Sequence, residues 1–313
     1  LTTPDSQEKL KEEAKAIQTR LATLIKETDL KTRIVRSVCI YAGMITETLL
    51  EYEEPDVVME QAFHRIADLL RAEPAAGEDE MEMMPLAYSV DHDTELGRHL
   101  ARAVAKKLPK GLDDVHEIAI ALVITDFPQW EEQGFKKDET LRLLIETVIM
   151  ALTFEMATQD FCDLLIEEFI ADGHSPSEGI VAIAAAAGYY YTAAERQMAL
   201  PADAEKELTN VMVRETVRYE TPGPKNWQTL APANDAENLD IPEYLAKLRP
   251  EMEEFFGLIG LENPLGRAVA VAKATGRMVA VITVEDVGQI HPSIAKSLAK
   301  TGMILGVRHR DEP

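Results

Sequence analysis

A mainly α fold, a multi-helix bundle followed by a small C-terminal α/β module with two short strands, is predicted by three observations on this 313-residue sequence. Apolar residues recur at helical spacing over most of the chain. The Gly, Pro and Asp residues that end helices gather between those stretches. After Asp240 the pattern changes, and short helical segments alternate with runs rich in Val and Ile.

Thr3 and Pro4 read as an N-cap and a first helical residue, and Leu10, Ile17, Leu21, Leu24 and Ile25 carry one apolar stripe to a break at Asp29. A second helix, near 31–52, places Ile34, Val35, Val38, Tyr41, Ile45 and Leu49 on one side. Glu54 and Pro55 start a third, with Val58, Ala62, Ile66, Leu69 and Leu70 at helical spacing. Short connections make these three an antiparallel bundle. Residues 74–90, with Pro74, Gly77, Pro85 and a cluster of acids, read as an acidic loop. Helices resume near 94–107 and 112–125, joined by Pro109, Lys110 and Gly111. Phe127, Pro128, Gln129 and Trp130 read as a loop anchored by its two aromatics.

The most apolar sequence lies between 137 and 200. On a helical wheel Glu139, Arg142, Glu146 and Thr153 fall within about 60° of one another, so this helix is wetted along one narrow stripe. Leu141, Leu144, Ile145, Val148, Ile149, Leu152, Phe154 and Met156 fill the rest and are expected core. Ser175 and Pro176 open a second helix whose small residues, Ala184 to Gly188, permit close approach to a neighbour. These two helices are expected to form a central pair. The apolar run 179–194 is shorter than the roughly 20 residues a membrane span needs, and charges flank it, so no span is expected. The first 30 residues hold no apolar signal core, which points to the cytoplasm, although the chain begins at Leu1 rather than Met.

A helix from Pro201 to about 220 closes a helical body spanning 1–220, and 221–240, carrying Pro222, Gly223, Pro224, Trp227 and Pro232, reads as a linker. The module 241–313 then follows. It consists of helices near 242–257 and 264–276, a strand at 278–284, a helix near 292–299 and a strand at 303–307. Two strands alone leave edges that need covering, so the module is an expected site of self-association.

Fifty-five acids against thirty-two bases give a net charge of −23. Residues 239–313 hold ten acids and nine bases, so nearly all the excess lies before them. Such a body repels phosphate backbones, and no nucleic acid is expected as a partner. The two cysteines, Cys39 and Cys162, sit in apolar helical patterns and are expected to be buried and reduced.

The densest group of candidate ligands is Asp91, His92, Asp93, Glu95, His99, Asp113, Asp114, His116 and Glu117. A dinuclear carboxylate bundle needs Glu-x-x-His on two helices, and here there is one Asp113-x-x-His116. His92-Asp93 is the dipeptide used by metal-dependent phosphohydrolases, here without an apolar helix leading into it. Asp113-Asp114-x-x-Glu117 resembles the Mg²⁺-diphosphate motif of isoprenoid synthases, but it opens a helix instead of ending one. Acids at these positions also serve as caps and macrodipole partners. Candidate metal ligands are therefore Asp113, Asp114, Glu117, His92 and Asp93, and candidate catalytic groups are His99, His116 and Glu155. Glu155 stands out because the wheel puts it near 220°, beside Leu144 and Val148. A carboxylate there must find a partner, take up a proton, or reach water at the helix end.

The expected function is a non-catalytic helical interaction or assembly protein, with an acidic body, that self-associates or binds a protein partner through its C-terminal module. No cofactor is needed for that role. The alternative is an all-helical enzyme using a divalent metal on a phosphorylated or diphosphate substrate.

Overall fold

Side-chain caps fix where several helices begin. Asp29 accepts from the Thr32 amide, Asp240 from that of Glu243, and Asn263 from those of Leu265 and Gly266. Ser175 and Glu178 form a reciprocal capping box ahead of Pro176. The structure, a computed structural model, describes residues 4–25, 29–70, 92–171, 175–198, 200, 204–219, 240–283 and 290–308. Among these are eleven helices: α1 (Pro4–Leu24), α2 (Leu30–Leu49), α3 (Pro55–Leu70), α4 (His92–Ala105), α5 (Leu112–Glu132), α6 (Lys137–Ala171), α7 (Pro176–Gln197), α8 (Ala204–Tyr219), α9 (Ile241–Leu258), α10 (Pro264–Ile282) and α11 (Pro292–Arg308). None is long and apolar enough to cross a membrane. The expected acidic loop at 74–90 and residues 221–239 of the expected linker at 221–240 lie outside the described residues.

The mainly α expectation holds, and the C-terminal strands do not: no strand occurs among the described residues. Residues 278–282 are the last turns of α10, and 303–307 lie within α11. Fifteen residues of α10 are buried. A helix covered on nearly every side has no polar stripe, and its Val and Ile then read like a buried strand. Gly276, read as a helix stop, serves packing instead, because a Cβ there would fall on the Met212 carbonyl oxygen of α8. The expected loop at 127–130 also proves helical, with Pro128 inside α5 near its end. Phe127 and Trp130 are buried, with ring centroids 5.1 Å apart, and Trp130 stacks on Tyr41.

The chain divides into two units within α6. Among the described residues, those up to Phe154 form the first and those from Glu155 onward the second. In the first, α2 and α4 run parallel, and a Cβ at Gly97 would fall on the Ile40 carbonyl oxygen. Helix α5 runs antiparallel to α2, as the Thr48–His116 and Tyr41–Asp126 bonds show. Val38, Ile45, Leu49, Ile66, Leu100, Val123, Leu144, Val148 and Leu152 fill one continuous core. Replacing Leu152, which is 2% exposed, with alanine is expected to cost about 2–5 kcal/mol, readable as a lower denaturant midpoint.

In the second unit α7 does not pair with α6 as expected but makes its close approaches to α11 and α10. A Cβ at Gly306 would fall on the Ala185 carbonyl oxygen, and one at Gly302 on that of Val181. Phe161 of α6 packs with Phe255 and Phe256 of α9, and Tyr190 of α7 meets Phe256 edge-on. Met156, expected in the core, is 43% exposed. The helices after Asp240 thus pack against α6 and α7.

Candidate functional site

The start of α5 gathers three of the candidate ligands with groups from α2 and α3. Gly111, with φ 62°, turns the chain into this helix without a side-chain cap. Asp114 accepts from the Lys110 amide at 3.2 Å, close to the capping role expected of it. Asp113 accepts from the Tyr52 hydroxyl at 3.0 Å. Glu117 is held by both terminal nitrogens of Arg65 in α3, at 2.8 and 2.9 Å, and that bonding lowers the Glu117 carboxyl below its ordinary value.

His116 is buried beside these groups. The Thr48 hydroxyl of α2 lies 2.7 Å from the Ile45 carbonyl oxygen and 2.8 Å from His116 Nδ1, a hydrogen bond whose direction follows the imidazole tautomer. Burial pushes the imidazole below its ordinary value; Glu117 and Asp113 oppose that shift, and Arg65 adds to it.

The candidates on α4 belong elsewhere. Asp93 is paired with Arg36 of α2 through bonds of 2.8 and 2.9 Å. His99 is exposed on α4. The side chain of His92 lies outside the described residues. Nearby, the buried Glu47 of α2 receives Arg98 Nε at 3.1 Å and both Arg102 Nε and Nη2, at 2.6 and 3.0 Å. Among the described residues no group of three or more His, Cys, Asp or Glu side chains could hold a metal ion. At α5 the three acids are already engaged by Tyr52, the Lys110 amide and Arg65.

Glu155 does not reach water: α6 continues to Ala171, and Glu155 is 2% exposed. It is paired with Lys273 and, at 2.8 Å, with Arg277 Nη2, both from α10. Arg277 also donates to Gln159 Oε1 at 3.1 Å and approaches Glu215 of α8 at 3.5 Å. Lys273, Arg277 and Glu215 are each no more than 2% exposed, so two acids and two bases are sealed together. Their partners went unseen in the sequence, although two lone charges four residues apart in the apolar run of α10 were a usable signal. Cys162 donates to the Ala274 carbonyl beside this cluster, and burial pushes its thiol up to about 12, which makes it unreactive. Both cysteines are buried thiols outside any disulfide, as expected.

Comparison with family models, with curated proteins and with solved structures gives no match.

Proposed function

We propose that this protein is a non-catalytic helical assembly protein, which self-associates through its C-terminal helices. The charges buried in its two units are matched against one another, Glu47 by Arg98 and Arg102, and Glu155 by Lys273 and Arg277. Matched, sealed charges hold helices in one arrangement and offer nothing to a substrate. The acidic excess therefore belongs to the surface.

Strand pairing is no longer available for assembly, and α10 is too deeply buried to serve. Helix α11 is the observation that carries the reading: in a chain of net charge −23 it holds Lys296, Lys300 and Arg308 and no acid. Ser297, Lys300, Thr301 and Arg308 are exposed along it. A basic helix of this kind complements an acidic surface, and a second copy of the chain supplies one. Charge reversal tests the reading. The Lys296→Glu, Lys300→Glu variant is expected to keep its helix content and to lose the association of the unaltered chain, read as molar mass by light scattering. Equal masses for both proteins would contradict it.

A further inference from the structure

Between Leu143 and Ala171 helix α6 holds no Lys, Arg or His, just as α11 holds no acid. Glu155 and Cys162 turn one side of α6 toward α10, and the opposite side is exposed at Met156, Asp160, Asp163, Leu164 and Glu167. On a helical wheel Met156, Asp160, Asp163 and Glu167 fall within about 60° of one another, a stripe about 16 Å long. Several exposed acids of this chain are met by a base of their own: Glu117 by Arg65, Glu139 by Lys136, Glu146 by Arg142 and Glu207 by Arg214. Among the described residues no ion pair reaches Asp160, Asp163 or Glu167, and Asp163 accepts from the Gln159 amide at 3.5 Å. The stripe therefore sets three uncompensated carboxylates beside two exposed apolar side chains, Met156 and Leu164.

We propose that this stripe of α6 is the acidic surface on which α11 of a second copy of the chain docks. The proposal rests on the assembly reading and names the partner surface that the reading requires. The exposed side of α11 has a matching length and the opposite sign. Ser297, Lys300 and Arg308, with the half-buried Ile304 between them, fall within about 80° on its wheel and also span about 16 Å. Lys300 and Arg308 meet carboxylates across the contact, and Ile304 meets the apolar side chains of the stripe. Water is thereby excluded from around the ion pairs, which strengthens them. In a chain of net charge −23 most faces of two copies repel each other. A stripe without bases laid against a helix without acids brings no like charges together.

Sedimentation equilibrium of full-length variants tests the pairing. Asp160→Lys with Asp163→Lys is expected to weaken self-association by at least about tenfold, because it faces the bases of α11 with cations. Glu51→Lys with Glu53→Lys makes the same change of net charge at two exposed acids of the first unit, and should associate like the unaltered chain. Mixing decides between a lost contact and a damaged protein. The α6 variant and the Lys296→Glu, Lys300→Glu variant should each stay close to the single-chain mass of 34.8 kDa when alone. Together, each basic α11 finds an acidic stripe and each acidic α11 finds a basic one, so the mixture should associate. If the reversed α6 variant loses helix content, Asp160→Asn with Asp163→Asn gives the same reading with a smaller loss. An α6 variant that associates like the unaltered chain while the α11 variant does not would overturn the pairing and leave the assembly reading standing. An equal loss in the Glu51, Glu53 control, or a mixture of folded variants that stays at single-chain mass, would also overturn the pairing. An unaltered chain that never associates would overturn both.

Discussion

Glu155→Gln is expected to lower the unfolding free energy by about 3–5 kcal/mol, the cost of leaving buried charge uncompensated. The substitution keeps the shape of the side chain and removes its charge, so Lys273 and Arg277 lose the carboxylate they share, while Glu215 remains 3.5 Å from Arg277. Both cations are sealed from water, which cannot replace the lost partner. The companion expectation separates a broken pair from a missing contact. Glu155→Leu combined with Lys273→Met removes one acid and one base together and leaves Arg277 with Glu215. This double variant should recover much of the loss, since apolar replacements of a buried pair are often neutral. Denaturant midpoints of the single and double variants check both statements.

Ending the chain after Asp240 is expected to unfold the second unit altogether. The truncation removes α9, α10 and α11. Glu155 and Glu215 would then be two buried acids without the bases that neutralise them. The backbone of α7 around Val181 and Ala185 would lose the glycine-lined face of α11 that covers it. Phe161 and Tyr190 would lose Phe255 and Phe256. Hydrogen exchange should find α7 and α8 unprotected in the truncated chain, whereas persistent protection there would mean that the C-terminal helices merely dock on a finished core.

Much of this fold was legible because the signals were local. Ser175 with Pro176, and the starts placed near 242 and 264, located three helix beginnings within a residue or two. The errors came where tertiary packing decides. Gly276 looks like a stop unless one knows that α8 passes against it, and residues 278–282 look like a strand because this helix is buried on nearly every side and its exposed position is the apolar Val281. Pro128 sits in α5 although the sequence suggested a loop, because Phe127 and Trp130 fix that turn from within the core. For the sites, the wheel located Glu155 on a buried face. Its partners lie 118 and 122 residues away, a separation that periodicity cannot bridge. Asp113, His116 and Glu117 do come together, since they share one helix start. The groups that engage them come from α2 and α3, with Thr48 lying 68 residues from His116. His99 and Asp93 were grouped with them by density alone, and the structure assigns those to α4.

The central claim, an assembly protein associating through a basic C-terminal helix, is tested most directly by sedimentation equilibrium of the unaltered chain. Runs should extend up to about 100 μM, where even micromolar affinity populates the associated form. The account predicts a mass that rises with concentration above the single-chain value of 34.8 kDa. A mass that stays at 34.8 kDa throughout would contradict it.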